Sequence, residues 1–178
     1  MDDSNMDQPT PLPLEVTHPH LKDFAAFLPE LNKESDKGMV LIATSFVDEL
    51  LKRIVLVFLV EGKPGLSLVD GFNAPLGTFS SRTAAAVALG LIPDREYKEC
   101  DILRKIRNQF AHHVHISFED NGIRDQCRNL TMAAQDYDEV VVDARGRFST
   151  SAVCLILNLT NRPHYVAKSR RSFSGWPD

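Results

Sequence analysis

Residues 36–61 read DKGMVLIATSFVDELLKRIVLVFLVE, and the fold turns on whether the second half of this stretch is helix or strand. Met39, Ile42, Phe46, Leu50 and Ile54 follow steps of three and four, the spacing of one helical face. The run Ile54–Val60 (IVLVFLV) is rich in residues that favour strands. The helical pattern nevertheless enters it without a break, and GKPG then closes it at Gly62. The spacing therefore predicts one long helix from Asp36 to about Glu61. Its valines cost little in a central helix, where the core contacts they make outweigh propensity.

Working outward, LKDFAAFLPELN places Leu21, Phe24, Ala25 and Leu28 on one face of a short helix between His20 and Leu31. Residues 1–18 carry three prolines and little periodicity, so they read as a flexible arm. Downstream, Leu66–Asp70 reads as a helical turn. GFNAPLG (71–77) is dense in loop residues, and Thr78 or Ser80 caps a helix that ends at Gly90. A further helix opens at Pro93, with Asp94 and Glu96 at its positive end, and runs to about His115. Ile123–Ala134 and Arg147–Asn161 complete the helical candidates, the latter interrupted before Pro163. EVVVDARGRF (139–148) is ambiguous and has room for a short extended piece, and AKSRRSFSGWPD reads as a polar, mobile tail. The expectation is an all-α chain, a single helical bundle of five to six helices. It comprises an arm (1–18), one domain (19–165) and a tail (166–178).

Composition narrows function. The formal net charge is −4, from 20 Lys and Arg against 24 Asp and Glu. A protein that grips duplex DNA needs a basic face, so direct DNA binding is disfavoured, and no helix-turn-helix with a basic second helix stands out. No run approaches the roughly 18 apolar residues of a membrane span, and the acidic N-terminus is unlike a signal peptide. The expected compartment is the cytoplasm. Cys100, Cys127 and Cys154 are dispersed and read as buried free thiols, not as a disulfide or zinc framework. His112, His113 and His115, with His18 and His20, lack carboxylate or thiolate companions at useful spacing, so neither a metal nor a cofactor is expected. The GFNAPLG loop lacks the P-loop pattern, and no serine or cysteine sits in a nucleophile elbow.

The informative stretch is Val69–His113. On a helical wheel at roughly 100° per residue, Ile102, Leu103, Ile106, Phe110 and Val114 form a core stripe. Arg107 stands at its edge, and His113 falls beside it as an expected core histidine. Asn108 and His112, one turn apart, share the far face with Asp101; that face is either solvated or an interface with a second bundle or subunit. Arg82 has two readings. It binds an anionic effector near the loop, or it pairs with Asp48 or Glu49 on the preceding helix.

The pair DGFNAPLGTFSSRTAAAVALGLIP and ECDILRKIRNQFAHH, in this order, resembles the mannitol operon repressor (MltR-like) family. The coincident residues are Gly71, Phe72, Ala74, Pro75, Leu76, Gly77, Ser80, Arg82, Arg107, Asn108, Phe110, Ala111 and His112, with Asn73 inside the signature loop. The resemblance extends more weakly from about Gly38 to the RFSTSAVCLILNL helix. It implies an all-helical bacterial transcriptional regulator of hexitol use. Because no DNA reader is evident, the expected mode is contact with another protein, either transcription machinery or a second regulator. A homodimer through the Asn108 and His112 face belongs to the same expectation.

A second resemblance overlaps the first. Arg107, Asn108 and His112 form Arg-Asn-x-x-x-His, similar to the signature of HEPN-type domains, many of which are dimeric, metal-independent ribonucleases. In that reading RNA is the partner, His112 moves the ribose 2′-OH or leaving-group proton, and Arg107 stabilises the phosphorane-like charge while Asn108 orients either. Five residues at 100° set Arg107 and His112 roughly 140° apart, so convergence on one phosphate requires helix irregularity or a second subunit. The structural reading is that Arg107 and Asn108 brace helix packing or a dimer seam while His112 caps a contact, which leaves a non-enzymatic regulator as the first reading and the ribonuclease as the alternative.

Overall fold

The protein was analysed as a computed structural model, which describes residues 21–176. The arm expected over residues 1–18 lies outside the described residues. Eight helical segments follow in order: α1 (Lys22–Lys33), α2 (Asp36–Phe58), α3 (Lys63–Val69), α4 (Phe79–Ala88), α5 (Asp94–His112), α6 (Asn121–Arg128), α7 (Ala144–Thr160) and α8 (Arg162–Ala167). Only Asn161, itself right-handed helical, parts α7 from α8, so the last two form one bent body and the bundle has seven. The surplus over five to six comes from α3, expected only as a helical turn at Leu66–Asp70 because so short a segment carries little periodic signal. Among the described residues there is no strand, only one antiparallel bridge between Tyr137 and Val140. That bridge reaches the ambiguous 139–148 region only at Val140; from Ala144 onward the region is helix.

α2 is the axle of the bundle, packed against α7, α5, α4 and α8. Ser35 opens it by accepting the Gly38 amide, and its nine buried residues run from Met39 to Val55. The helix continues through Phe58, so the doubtful run is helical up to that residue, with Ile54 and Val55 fully buried. Each such side chain contributes roughly 1.5–3 kcal/mol when removed from water, far more than the propensity penalty. The buried face differs in detail from the expected one. Val40, Ala43, Val47 and Leu51 join Met39, Leu50 and Ile54 inside, whereas Ile42 is 37% exposed and Phe46 is half-buried against Phe27. α2 ends at Phe58, before Glu61, and Gly62 (φ 134) caps α3.

α5 stops at His112, three residues short of expectation, with the His113 amide closing the turn on the Gln109 carbonyl. Val114 is consequently 80% exposed and leaves the core stripe. His113 is exposed too, its Nδ1 3.0 Å from the Gln109 oxygen, so it caps the helix end and is not a core histidine. Phe118 takes the vacated place, its ring tilted between those of Phe110 and Phe148 with centroids 5.2 and 5.5 Å away. α6 ends at Arg128, well before Ala134, because a buried carboxylate captures the Thr131 and Met132 amides that a continuing helix would need. No described helix is long and apolar enough to cross a membrane.

At the C-terminus, α8 reaches Ala167, and the chain beyond it is tied to the end of α2. The Arg171 amide donates to the Phe58 carbonyl, while Arg170 bonds the Val57 carbonyl and Glu61. Two residues expected in a mobile tail are thus tied by hydrogen bonds to the domain.

Candidate functional site

The loop between α3 and α4 is built to hold one conformation. Gly71 (φ 110) and Asn73 (φ 56) take left-handed backbone that other residues resist. At Gly77 a Cβ would lie 2.9 Å from the Ala74 carbonyl, so only glycine permits the turn that bonds Gly77 N to that oxygen. The Leu76 amide donates to the Leu68 carbonyl at 2.7 Å, and Thr78 with Ser81 forms a capping box at the start of α4.

Arg82 clamps this loop from within. Its Nε donates to the Leu76 carbonyl at 2.9 Å, its Nη2 to the Val69 carbonyl at 2.9 Å, and its Nη1 to Asp48 at 2.7 Å. The residue is buried, and its guanidinium is spent on these partners. Of the two readings of Arg82, this geometry is the internal pair with Asp48. Lys52 anchors the loop's first carboxylate at 2.8 Å, and that hydrogen bond holds Asp70 below the usual carboxylate range. What the anchored loop presents is Phe72, 97% exposed; Asn73, Pro75 and Gly77 are exposed beside it.

The residues expected to share the far face of α5 are near one another but not converged. Asp101 bonds Arg104 at 2.6 Å and Lys105 at 2.8 Å. Partial burial raises its pKa, but these two cations outweigh that and leave the carboxyl below its ordinary range. Arg107 is exposed and donates to the Asn108 side-chain oxygen at 3.1 Å; His112 is exposed on the last turn. Arg82 is not part of this group. It meets α2 at Asp48, whereas the end of α5 meets α2 at Lys37, whose Nζ approaches the His113 carbonyl. Eleven helical residues separate those two points, about 16 Å. Among the described residues no group of three or more His, Cys, Asp or Glu side chains is close enough to hold a metal ion.

Glu99 was not singled out by the sequence reading, yet it is the most heavily bonded side chain of α5. Fully buried, it accepts from the Thr131 amide and hydroxyl (both 3.0 Å), the Met132 amide (3.0 Å) and the Ser151 hydroxyl (2.6 Å). Glu96, also buried, pairs with Arg162 at 2.8 Å. The signal for both was available. Positions 96, 99, 103, 106 and 110 continue the core stripe upstream at steps of three and four, placing two acids on the inner face. With four donors on two oxygens, Glu99 has no capacity left for a ligand and serves as a brace.

These features define a helical bundle that displays a locked, aromatic-tipped loop and, at a separate place, an open polar helix end. No family model matches the chain, and no curated protein matches it in sequence. Its fold is similar to that in the X-ray structure of the MtlR–HPr complex from Escherichia coli, with a TM-score of 0.56 at 23% identity. The match covers 80% of this chain and 97% of that one.

Proposed function

We propose that this chain is a transcriptional regulator of the MltR-like, repressor type that works in the cytoplasm through protein contacts, with Phe72 at the contact. The observation that carries the reading is the exposure of Phe72 on a loop whose backbone is pinned by Arg82, Gly71, Asn73 and Gly77. A large apolar ring held in water without freedom to fold away gains its full burial on association and loses little entropy, as binding hot spots do. The resemblance of the GFNAPLG and RNQFAHH segments to the family pattern and the fold similar to that of MtlR support the same reading. MtlR is bound to HPr in its structure, and HPr is the first partner to try. Titration of HPr into the protein by calorimetry should give saturable binding that Phe72→Ala weakens at least tenfold while helicity is unchanged. An unaffected affinity would remove the loop from the reading; no binding at all would remove HPr.

A second reading, a metal-independent ribonuclease, is favoured by one observation: Arg107 and His112 are open to solvent and Asn108 is partly so, on the same two turns. It requires that the protein cleave single-stranded RNA in EDTA and that His112→Ala abolish cleavage with the fold intact. RNA left whole by the wild-type protein would dispose of it.

A further inference from the structure

Residues 161–177, α8 and the chain after it, read NRPHYVAKSRRSFSGWP, with four Lys and Arg, one histidine and three aromatic rings. They hold no carboxylate, and the acid-free run extends back to residue 144 in a protein of net charge −4. Part of the charge is spent internally. Arg162 pairs with Glu96 and Arg170 with Glu61, both at 2.8 Å. Lys168 and Arg171 are exposed and have no acidic partner among the described residues. The rings are open as well: Tyr165 is 62% exposed, Phe173 82% and Trp176 86%. The Lys168 ammonium stands 5.5 Å from the centre of the Tyr165 ring, so one cation and one ring lie side by side.

The root of this segment is fixed. The Arg171 amide donates to the Phe58 carbonyl at 2.8 Å, and Arg170 bonds the Val57 carbonyl at 3.1 Å. From Arg171 the chain reaches Trp176 in five residues, at most about 17 Å. The anchor therefore keeps the two unpaired cations and the three rings in one neighbourhood. It is remote from the polar end of α5, which meets α2 at Lys37. Along α2, Lys37 and Phe58 are 21 residues apart, about 31 Å.

Flat apolar faces interleaved with unpaired cations match the chemistry of a single nucleic-acid strand. Its unstacked bases lie on aromatic side chains, and its phosphates take the cations. A duplex hides its base faces, and two free cations are too few to hold one by phosphates alone. An anionic membrane also attracts cations and aromatic rings, but the segments it takes in are helices that bond their own backbone. Residues 170–176 form no helix, and their backbone polar groups need water.

We propose that residues 162–176 form a binding surface for single-stranded nucleic acid, with Tyr165, Phe173 and Trp176 stacking on bases while Lys168 and Arg171 contact phosphates. It goes beyond the protein contact at Phe72 and depends neither on it nor on RNA cleavage. Trp176 is the single tryptophan of the chain, so its fluorescence reports the stacking directly. The full chain would be titrated with single strands of about 12 nucleotides, as RNA and as DNA of the same sequence. Saturable quenching by either supports the proposal, and the DNA arm has no 2′-OH for a ribonuclease to use. The logarithm of affinity should fall with the logarithm of salt at a slope of about −1.4, two phosphates at about −0.7 each. Lys168→Gln with Arg171→Gln should weaken binding at least tenfold and flatten that slope. Phe173→Ala should weaken it at least fivefold with the slope unchanged, and helicity should be retained in both. Phe72→Ala and His112→Ala should bind as the wild type does. The absence of quenching, equal affinity for a duplex of the same length, or a loss of binding in His112→Ala would overturn the proposal. So would a blue shift of Trp176 emission on phosphatidylglycerol vesicles with no response to either oligonucleotide.

Discussion

The guanidinium of Arg82 lies 2.7 Å from the Asp48 carboxylate and hydrogen-bonds the backbone carbonyls at Val69 and Leu76, joining α2, α4 and both ends of the signature loop through one side chain. A single arginine thus couples the central helix to the most exposed aromatic ring of the loop. Planar, multi-donor geometry is what makes this possible, and a lysine at the same position would satisfy one of the three acceptors.

Replacing Arg82 by methionine should therefore cost about 3 kcal/mol, since it strands the Asp48 carboxylate and two carbonyls. Urea unfolding followed by far-UV circular dichroism would measure it, and Arg82→Lys should recover only a minor part. A loss within the range of ordinary surface substitutions would mean that the clamp is incidental.

Glu99→Gln tests the brace inside the bundle. The amide nitrogen would face a donor wherever it points, so about 2 kcal/mol of stability should be lost despite identical shape. The exchange rate of either the Thr131 or the Met132 amide should rise with it, because the two bond different oxygens and the one facing the new NH2 group loses its acceptor. Unchanged exchange there would show that the turn is held by something else.

The pH behaviour of the loop has a definite sign. Asp70 titrates below its ordinary value because Lys52 stabilises the ionised form, so the unfolded chain takes up its proton first on acidification. The contribution is present above the unfolded value of about 3.9 and fades as pH falls through the lower folded value. The Gly71 amide, 3.1 Å from the Asp70 oxygen, should report a midpoint below about 3.9 in an NMR titration. A midpoint at or above that value would break the link to Lys52.

The thiols should differ sharply in reactivity. Burial, with Glu96 and Glu99 adding to it, pushes the Cys100 thiol far up, and burial pushes Cys127 up to about 12. Cys154 is only half-buried. A thiol reagent at neutral pH should modify at most one cysteine in the native protein, located at 154 by peptide mapping, and three after unfolding. Rapid native labelling of Cys100 would contradict the packing of α5.

Much of the bundle is legible from spacing alone. The α2 pattern carries through Ile54–Val60 because a 3.6-residue repeat survives a locally strand-like composition. The caps at Thr78 and Pro93 follow from residue types whose preferences are local. Helix ends were less legible where a distant group decides them. Nothing near Arg128 announces that Glu99, some thirty residues earlier, will take the next amides. His113 and Val114 fit the α5 stripe on a wheel, but the helix ends before them and Phe118 fills the space.

By itself the sequence determined an all-helical bundle, its long central helix and the two segments worth asking about, because hydrophobic period and capping chemistry are properties of neighbouring residues. Tertiary structure alone decided that Arg82 is an internal clamp, that Phe72 is displayed, and that Glu99 holds the turn after α6. Those facts depend on which elements meet, and residues brought together across 30 to 110 positions leave no mark in any local pattern.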